Sequence, residues 1–282
     1  MSTFEIGRSD GSVSLASLFE GRSDFDARSD LYLDAIANLV CIGGWPAALD
    51  MDEKTALNVS KDYAEAVVRC DISVMDRMNR NPITASAIMR SLSRNICTMA
   101  ETTAIASDVR EQASRSTVLD YIDALRRLYV VEDVPSWYPS LTSKARVRAA
   151  PQRCFVDPSI AVASLGTGPG ALMRDMPAFG SLFEAMCIRD LRVYSQVLDG
   201  TVMHYHDSTG LEVDIVVELP DGRWGAFEVR LDGDENGAAR SLLRLKRKVS
   251  SAPSFLAVLT GSGFFHVRDD GVMIVPIGCL GP

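Results

Sequence analysis

The order of apolar and polar residues predicts a helical first half of the chain and a mixed second half. From about residue 31 to residue 129 apolar residues recur every three or four positions, which is the spacing of amphipathic helices. Beyond residue 200 they alternate with polar residues or form short runs, which is typical of strands. The elements predicted there are a helix at Pro177–Leu198, strands at 202–206, 212–219 and 224–231, a basic helix at 237–250, and strands at 255–260, 264–268 and 272–276. The pattern indicates an α+β protein with more than one domain.

Three consecutive helices are predicted between Ile83 and Tyr129, and two short strand-like runs follow them. The third helix begins after Ser114, a residue type that caps helix N-termini well. Three helices and then a hairpin is the order of a winged helix-turn-helix, which we expect over about residues 82–150.

A winged helix-turn-helix suggests two kinds of partner, DNA and protein. The residues expected to contact DNA lie at the start of the third helix and in a basic loop after it: Ser114, Arg115, Thr117, Arg146 and Arg148. Asp120 and Asp123 on the same helix would repel a phosphate backbone, and winged helices also dock onto proteins. Both alternatives stay open at this point.

Composition limits the possible classes of protein. The 282 residues exceed one typical domain, and we divide them into an irregular lead-in rich in Ser, Gly and Asp (1–30), a helical region (31–150) and an α/β domain (151–282). The net charge of −8 argues against a free-standing, non-specific nucleic-acid binder, although residues 81–150 are net basic. No apolar run is long enough to cross a membrane, and no signal peptide is visible. Six widely spaced cysteines suggest reduced thiols, hence a cytoplasmic location.

Two carboxylates are expected to meet on adjacent strands. Asp214 lies on an alternating strand, and a turn at Asp221–Gly222 returns the chain so that Glu228 comes beside it. With the Val229 carbonyl, these groups would offer three oxygen ligands to Mg²⁺. Such an ion activates water and neutralises charge on a phosphodiester, so Mg²⁺ is the cofactor that this pair implies.

The same residues resemble the active-site pattern of the restriction-endonuclease-like, or PD-(D/E)xK, superfamily. The resemblance implies that Glu184 is the helix glutamate, that Asp214 and Glu228 are the metal carboxylates, and that Arg230 occupies the catalytic lysine position. Arginine does not lose its proton and is a poor substitute for that lysine. We therefore expect a nuclease-like fold with an inactive acidic cluster. The alternative is a Mg²⁺-dependent DNA nuclease that uses Asp214 and Glu228.

Several stretches, in the right order, resemble the C-terminal half of a widespread bacterial family of predicted AAA-type ATPases: Gly11–Leu15, Gly43–Pro46, Ser116–Tyr121, Arg153–Asp157, Glu212–Asp214 and Glu228–Arg230. The resemblance implies an ATPase domain preceding a winged helix and a restriction-endonuclease-like domain. The chain has no G-x-x-x-x-G-K-[ST] stretch, and its Gly166–Gly170 segment lacks the lysine that reaches phosphates. We expect no ATP site in this chain. We expect instead a regulatory or interaction module for DNA, a protein partner or a separate ATPase domain.

Overall fold

The computed structural model describes residues 1–75, 78–140, 150–231 and 233–282, and the chain forms two compact units. The sheet unit contains Met1–Ile36, Val134–Pro151 and Cys187–Pro282; the helical unit contains Ala37–Asp133 and Gln152–Met186. Helices and strands are mixed, so the predicted α+β, multidomain class is confirmed. Both units combine segments that are distant in sequence, and the division that we placed at residues 30 and 150 stays a prediction.

The helices and strands have the following bounds in chain order. The first part contains β1 (Val13–Ser14), α1 (Leu15–Phe19), β2 (Arg28–Ser29), α2 (Leu33–Ile42), a 3₁₀ turn (Pro46–Ala48), α3 (Glu53–Ala66), a π-helical turn (Val67–Asp71) and α4 (Ile72–Val74). The middle part contains α5 (Pro82–Arg94), α6 (Thr102–Asp108), α7 (Arg115–Arg127), β3 (Val131–Val134), β4 (Gln152–Phe155), α8 (Pro158–Leu165), α9 (Pro169–Leu172) and α10 (Met176–Gln196). The last part contains β5 (Thr201–His206), β6 (Glu212–Glu218), β7 (Trp224–Arg230), α11 (Glu235–Lys248), β8 (Phe255–Thr260), β9 (Gly263–Phe264), β10 (His266–Val267), β11 (Met273–Pro276), a 3₁₀ turn (Ile277–Cys279) and β12 (Leu280–Gly281).

A mixed six-stranded sheet forms the centre of the sheet unit, in the order β10-β11-β8-β7-β6-β5. Strands β5, β6 and β7 are antiparallel neighbours, whereas β7, β8 and β11 run parallel. Helix α11 places Ala238, Leu242 and Leu245 in a buried cluster with Trp137 and Trp224. Burial of these large apolar side chains is the main driving force for the unit.

The N-terminal lead-in contains two short strands and a helix, in contrast to the irregular segment that we predicted for residues 1–30. Strand β1 pairs in parallel with β12 at the other end of the chain, and Leu15 and Leu18 of α1 are fully buried. The Ser9 hydroxyl donates to the Leu280 carbonyl at 2.6 Å. Local sequence did not reveal these elements because their pairing partner lies more than 250 residues away along the chain.

A buried polar network anchors the first residues of the chain. The carboxylate of Asp190, on α10, accepts bonds from the Thr3 hydroxyl at 2.5 Å and the Thr3 amide at 3.2 Å. Its other oxygen is 2.7 Å from Nη2 of Arg189. Asp190 is fully buried and Arg189 is 7% exposed, so this is an ion pair removed from water.

In the helical unit, two of the stretches that carried the family resemblance contact each other. Asp157 caps α8 and also accepts the Gly44 amide at 2.8 Å. The indole N–H of Trp45 donates to the Ser159 hydroxyl at 2.9 Å. Gly43 has a φ of +79°, and a Cβ there would lie 2.4 Å from the Asp157 carboxylate. Glycine is therefore required both by the backbone conformation and by the close approach of Asp157.

Helices α5, α6 and α7 are followed by β3 and β4, which pair with each other. Trp137 lies in the sheet unit, where its amide donates to the His204 carbonyl at 2.6 Å. The thiols of Cys97 and Cys154 are 3.2 Å apart, and none of the six cysteines, all within the described residues, forms a disulfide. Within the described ranges, every helix is too short or too polar to span a lipid bilayer.

Candidate functional site

The β6–β7 hairpin brings the predicted acidic residues together. Its register runs from Glu218 opposite Trp224 to Ile215 opposite Phe227, and one further step places Asp214 opposite Glu228. Two features of the sequence produce this hairpin. Apolar residues alternate along β6, as in a strand, and Gly222 adopts a φ of +85° in the turn that joins β6 to β7.

A β-bulge lies at Asp214. In the β5–β6 pairing, Met203 is opposite Val216 and Tyr205 is opposite Val213, so β6 advances three residues while β5 advances two. The extra residue therefore falls between Val213 and Val216. Bulges change the direction of side chains and are over-represented beside active sites. Here the bulge accompanies an Asp214 side chain whose Oδ2 accepts the Val229 amide at 2.8 Å.

Arg230 binds every oxygen group that the sequence assigned to Mg²⁺. Its Nη1 is 3.2 Å from Asp214 Oδ2 and 2.6 Å from the Val229 carbonyl oxygen. Its Nη2 is 2.5 Å from Glu228 Oε2. One guanidinium thus bridges both carboxylates and the carbonyl between them. Charge-assisted bonds of this kind are stronger than neutral ones.

Burial controls the protonation of this cluster. Glu228 is 2% exposed, and burial raises its pKa to about 9, with the Asp214 charge acting in the same direction and Arg230 opposing it. Burial also raises the pKa of Asp214, although the Val229 amide and Arg230 work against the shift. Burial lowers the pKa of Arg230, but the two carboxyl groups raise it by more. Burial thus favours the neutral form of both carboxyl groups, and the Arg230 guanidinium favours their ionised form.

These residues do not fit a Mg²⁺ site. A metal ligand must be deprotonated, whereas Glu228 holds its proton, and the Arg230 guanidinium already bonds Asp214 Oδ2, Glu228 Oε2 and the Val229 carbonyl, so a cation would have to displace it. Among the residues that the structure describes, no group of three or more His, Cys, Asp or Glu side chains is arranged to hold a metal ion. The chemistry that the arrangement supports is internal charge neutralisation.

The other predicted site residues lie elsewhere. Glu184 is half-buried on α10, within the helical unit, and its predicted place beside Asp214 stays a prediction. Ser114 caps α7 by accepting the Thr117 amide at 3.2 Å, and Arg115 is exposed. Arg146 and Arg148 lie outside the described residues.

Two features of the sheet unit were missed from the sequence. One is the bridging role of Arg230, for which the arginine at the lysine position was the available signal. The other is the pairing of Lys248 with Asp207 at 2.5 Å, which separates this lysine from the other cations of α11. Both depend on side-chain distances that periodicity does not give.

The raised pKa of Glu228 predicts a pH dependence of stability. The folded pKa of about 9 exceeds the ordinary value of 4.5, so the native state holds a proton that the unfolded state releases. This contribution to the free energy of unfolding is complete below pH 4.5 and is lost as pH rises toward 9, at up to about 1.4 kcal/mol per pH unit.

Glu228→Gln should remove this contribution, so the stability of the variant relative to wild type should rise with pH. Urea unfolding across this range measures the difference; Glu20→Gln, at an exposed glutamate of the same unit, should parallel wild type. Parallel curves for Glu228→Gln would contradict the prediction.

Comparison with protein families divides the chain into two matched parts. Residues 33–170 match a domain of unknown function (DUF8612), and residues 179–280 match another domain of unknown function (DUF4143). The second of these domains is commonly found in the C-terminal region of AAA-type ATPases. Searches among curated proteins and among solved structures found no match. The residues around Arg230 therefore lie in the part of the chain that is similar to DUF4143.

Proposed function

We propose that this chain is a regulatory or interaction module of an AAA-type ATPase system, and that its sheet unit is a restriction-endonuclease-like domain without nuclease activity. The observation that carries the proposal is the triple contact of Arg230 with Asp214, Glu228 and the Val229 carbonyl. The positive charge that a nuclease would take from a metal ion is supplied here by the chain itself.

The contact explains why hydrolysis is disfavoured. A metal ion entering the site would have to displace the guanidinium and remove the proton of Glu228, and both changes oppose binding. Arg230 also remains charged at all ordinary pH values, so it does not act as a base toward water. The site thus lacks a free carboxylate pair, a free ligand carbonyl and a titratable lysine.

The helical unit supports a binding role. Helices α5, α6 and α7 followed by the paired strands β3 and β4 agree with a winged helix-turn-helix, in which Arg115 and the start of α7 are available to a partner. The resemblance of the chain to the C-terminal half of AAA-type ATPases makes an ATPase domain, a further protein or DNA the expected partner. Reduced thiols, without a disulfide at any of the six cysteines, suit the cytoplasm.

Plasmid cleavage tests the loss of catalysis. Supercoiled plasmid incubated with the wild-type chain and Mg²⁺ or Mn²⁺ should remain uncut, as it should with Asp214→Ala. Metal-dependent nicking by wild type that disappears in Asp214→Ala would overturn the proposal and favour the Mg²⁺-dependent nuclease.

Thermal unfolding with and without Mn²⁺ tests whether Arg230 is what prevents a metal ion from binding. A cation that binds only the native state raises the melting temperature. We expect no such shift for wild type and a shift for Arg230→Lys, because lysine offers a single cationic nitrogen and releases some of the oxygens. Arg223→Lys, at an exposed arginine of the same hairpin, is the matched control and should behave as wild type.

A further inference from the structure

Several arginines of this chain pair with an acidic residue two or four positions away: Arg22–Asp24, Arg28–Asp30, Arg69–Glu65, Arg127–Asp123, Arg223–Asp221 and Arg268–Asp270. Helix α11 carries three arginines on one face that are not in such a pair. Its Arg240, Arg244 and Arg247 are exposed and form no ion pair with any described residue. In a chain with net charge −8, this helix therefore presents an isolated basic surface.

The three arginines form one stripe, which we call the α11 stripe. They occupy positions i, i+4 and i+7, so they share a helix face, and that face lies opposite buried Leu242 and Leu245. Nε of Arg240 donates to the Asn236 carbonyl at 3.2 Å, and Nε of Arg247 donates to the Leu243 carbonyl at 3.1 Å. These bonds hold each stem against its own helix. Among the described residues, the Nη groups of both side chains have no acceptor.

Helix stability does not account for the stripe. Cations in the last turn interact favourably with the helix dipole, which explains Lys246, Arg247 and Lys248, but Arg240 and Arg244 lie before that turn. Like charges four residues apart destabilise a helix rather than stabilise it. A stripe that opposes folding of its own helix points to an anionic ligand.

The surroundings of the stripe select among anionic ligands. A membrane-surface helix needs an exposed apolar face, whereas none of the large apolar side chains in this fully described helix is exposed. Protein interfaces depend on apolar or aromatic anchors, and the stripe has none. Guanidinium groups match phosphate geometry, and a row of cations over about 10 Å of helix suits a charged polymer.

We propose that the α11 stripe binds the phosphate backbone of duplex DNA. The inference rests on the proposed function in one respect, since it names a partner surface for the interaction module. The net charge of −8 argues against non-specific binding over the whole surface, so the proposal is confined to phosphate contacts by Arg240, Arg244 and Arg247. These contacts require no base recognition, so binding is expected to be independent of sequence and sensitive to salt.

Fluorescence anisotropy with a labelled, mixed-sequence DNA duplex tests the proposal. The variant Arg240→Gln/Arg244→Gln/Arg247→Gln should bind at least about tenfold more weakly than wild type, and its salt dependence should fall by about one unit of slope per lost contact. Its thermal stability should equal or exceed that of wild type because like-charge repulsion on α11 is removed.

The matched control is Arg22→Gln/Arg28→Gln/Arg223→Gln, which removes the same number of positive charges from paired arginines and should bind as wild type. Equal weakening by the control, unchanged binding by the α11 variant, or no binding by wild type would overturn the proposal.

Loss of binding in Arg115→Gln with full binding in the α11 variant would assign DNA binding to the winged helix instead. Competition by polyglutamate as strong as that by duplex would indicate an acidic protein and also overturn it. Plasmid cleavage is measured in a separate assay. Nuclease activity there would refute the proposed function, whereas the anisotropy results above decide whether the α11 stripe binds DNA.

Discussion

Replacing Arg230 with alanine is expected to lower the free energy of unfolding by about 3–5 kcal/mol at neutral pH, the usual cost of removing one partner from a buried ionic cluster. The two carboxyl groups, of which Glu228 is 2% exposed and Asp214 17% exposed, would lose their common cation. The charge that remains on the pair is then buried without a countercharge, and its incomplete solvation opposes folding. Urea unfolding of wild type and variant gives the difference directly.

The effect of this substitution should shrink in acid, because protonation removes the charge that Arg230 neutralises. Arg223→Ala is the matched control, since this arginine is 49% exposed and pairs with an exposed Asp221 at 2.7 Å. Such surface pairs contribute at most about 1 kcal/mol. Equal losses for Arg230→Ala and Arg223→Ala would show that the bridging contact does not stabilise the fold.

Replacing Asp190 with alanine is expected to cost a similar amount, about 3–5 kcal/mol. The variant removes the buried acceptor of Thr3 and takes away a carboxylate that lies 2.7 Å from the guanidinium of buried Arg189. Asp190→Asn keeps the size of the side chain and an oxygen for Thr3, so it should lose less. The difference between the two variants separates the packing of this position from its charge.

Two measurements check the Asp190 prediction. Urea unfolding gives the loss of stability, and limited proteolysis should show faster cleavage within the first residues of the chain because Thr3 is no longer anchored. Asp24→Ala, at an exposed aspartate of the same unit, should change neither quantity appreciably. A stability loss below about 1 kcal/mol for Asp190→Ala would mean that the network is not important for folding.

Periodicity was sufficient for most helices and strands. The apolar run that predicted a strand at 255–260 corresponds to β8 (Phe255–Thr260), and the alternating residues at 212–219 and 224–231 correspond to β6 and β7. These elements are specified by their own residues: β8 is buried at every position, as its apolar run predicts, and β7 is buried at all positions but its last. Helix α8 was not predicted because its first five residues, Pro158 to Val162, are all buried and show no amphipathic spacing, although Asp157 and Pro158 are local signals for a helix start.

The acidic site could be predicted only as far as backbone register extends. Alternating residues and a tight turn predict that Asp214 and Glu228 lie side by side, but they do not reveal the bulge in β6 or the direction of the Arg230 side chain. The sequence suggested oxygen ligands for Mg²⁺, whereas the distances show the same oxygens bonded to a guanidinium. Such a choice depends on side-chain geometry over a few ångströms.

The parallel pairing of β1 with β12 has a consequence for synthesis of the protein on the ribosome. Val13 is paired with Leu280, so the first strand has no partner until nearly the whole chain has emerged. Every segment of the helical unit lies between these two strands in sequence, so that unit can fold before Val13 has formed its pairing with Leu280. The buried apolar residues near the N-terminus are therefore exposed for most of translation, and this interval is when nascent chains are most in need of chaperones.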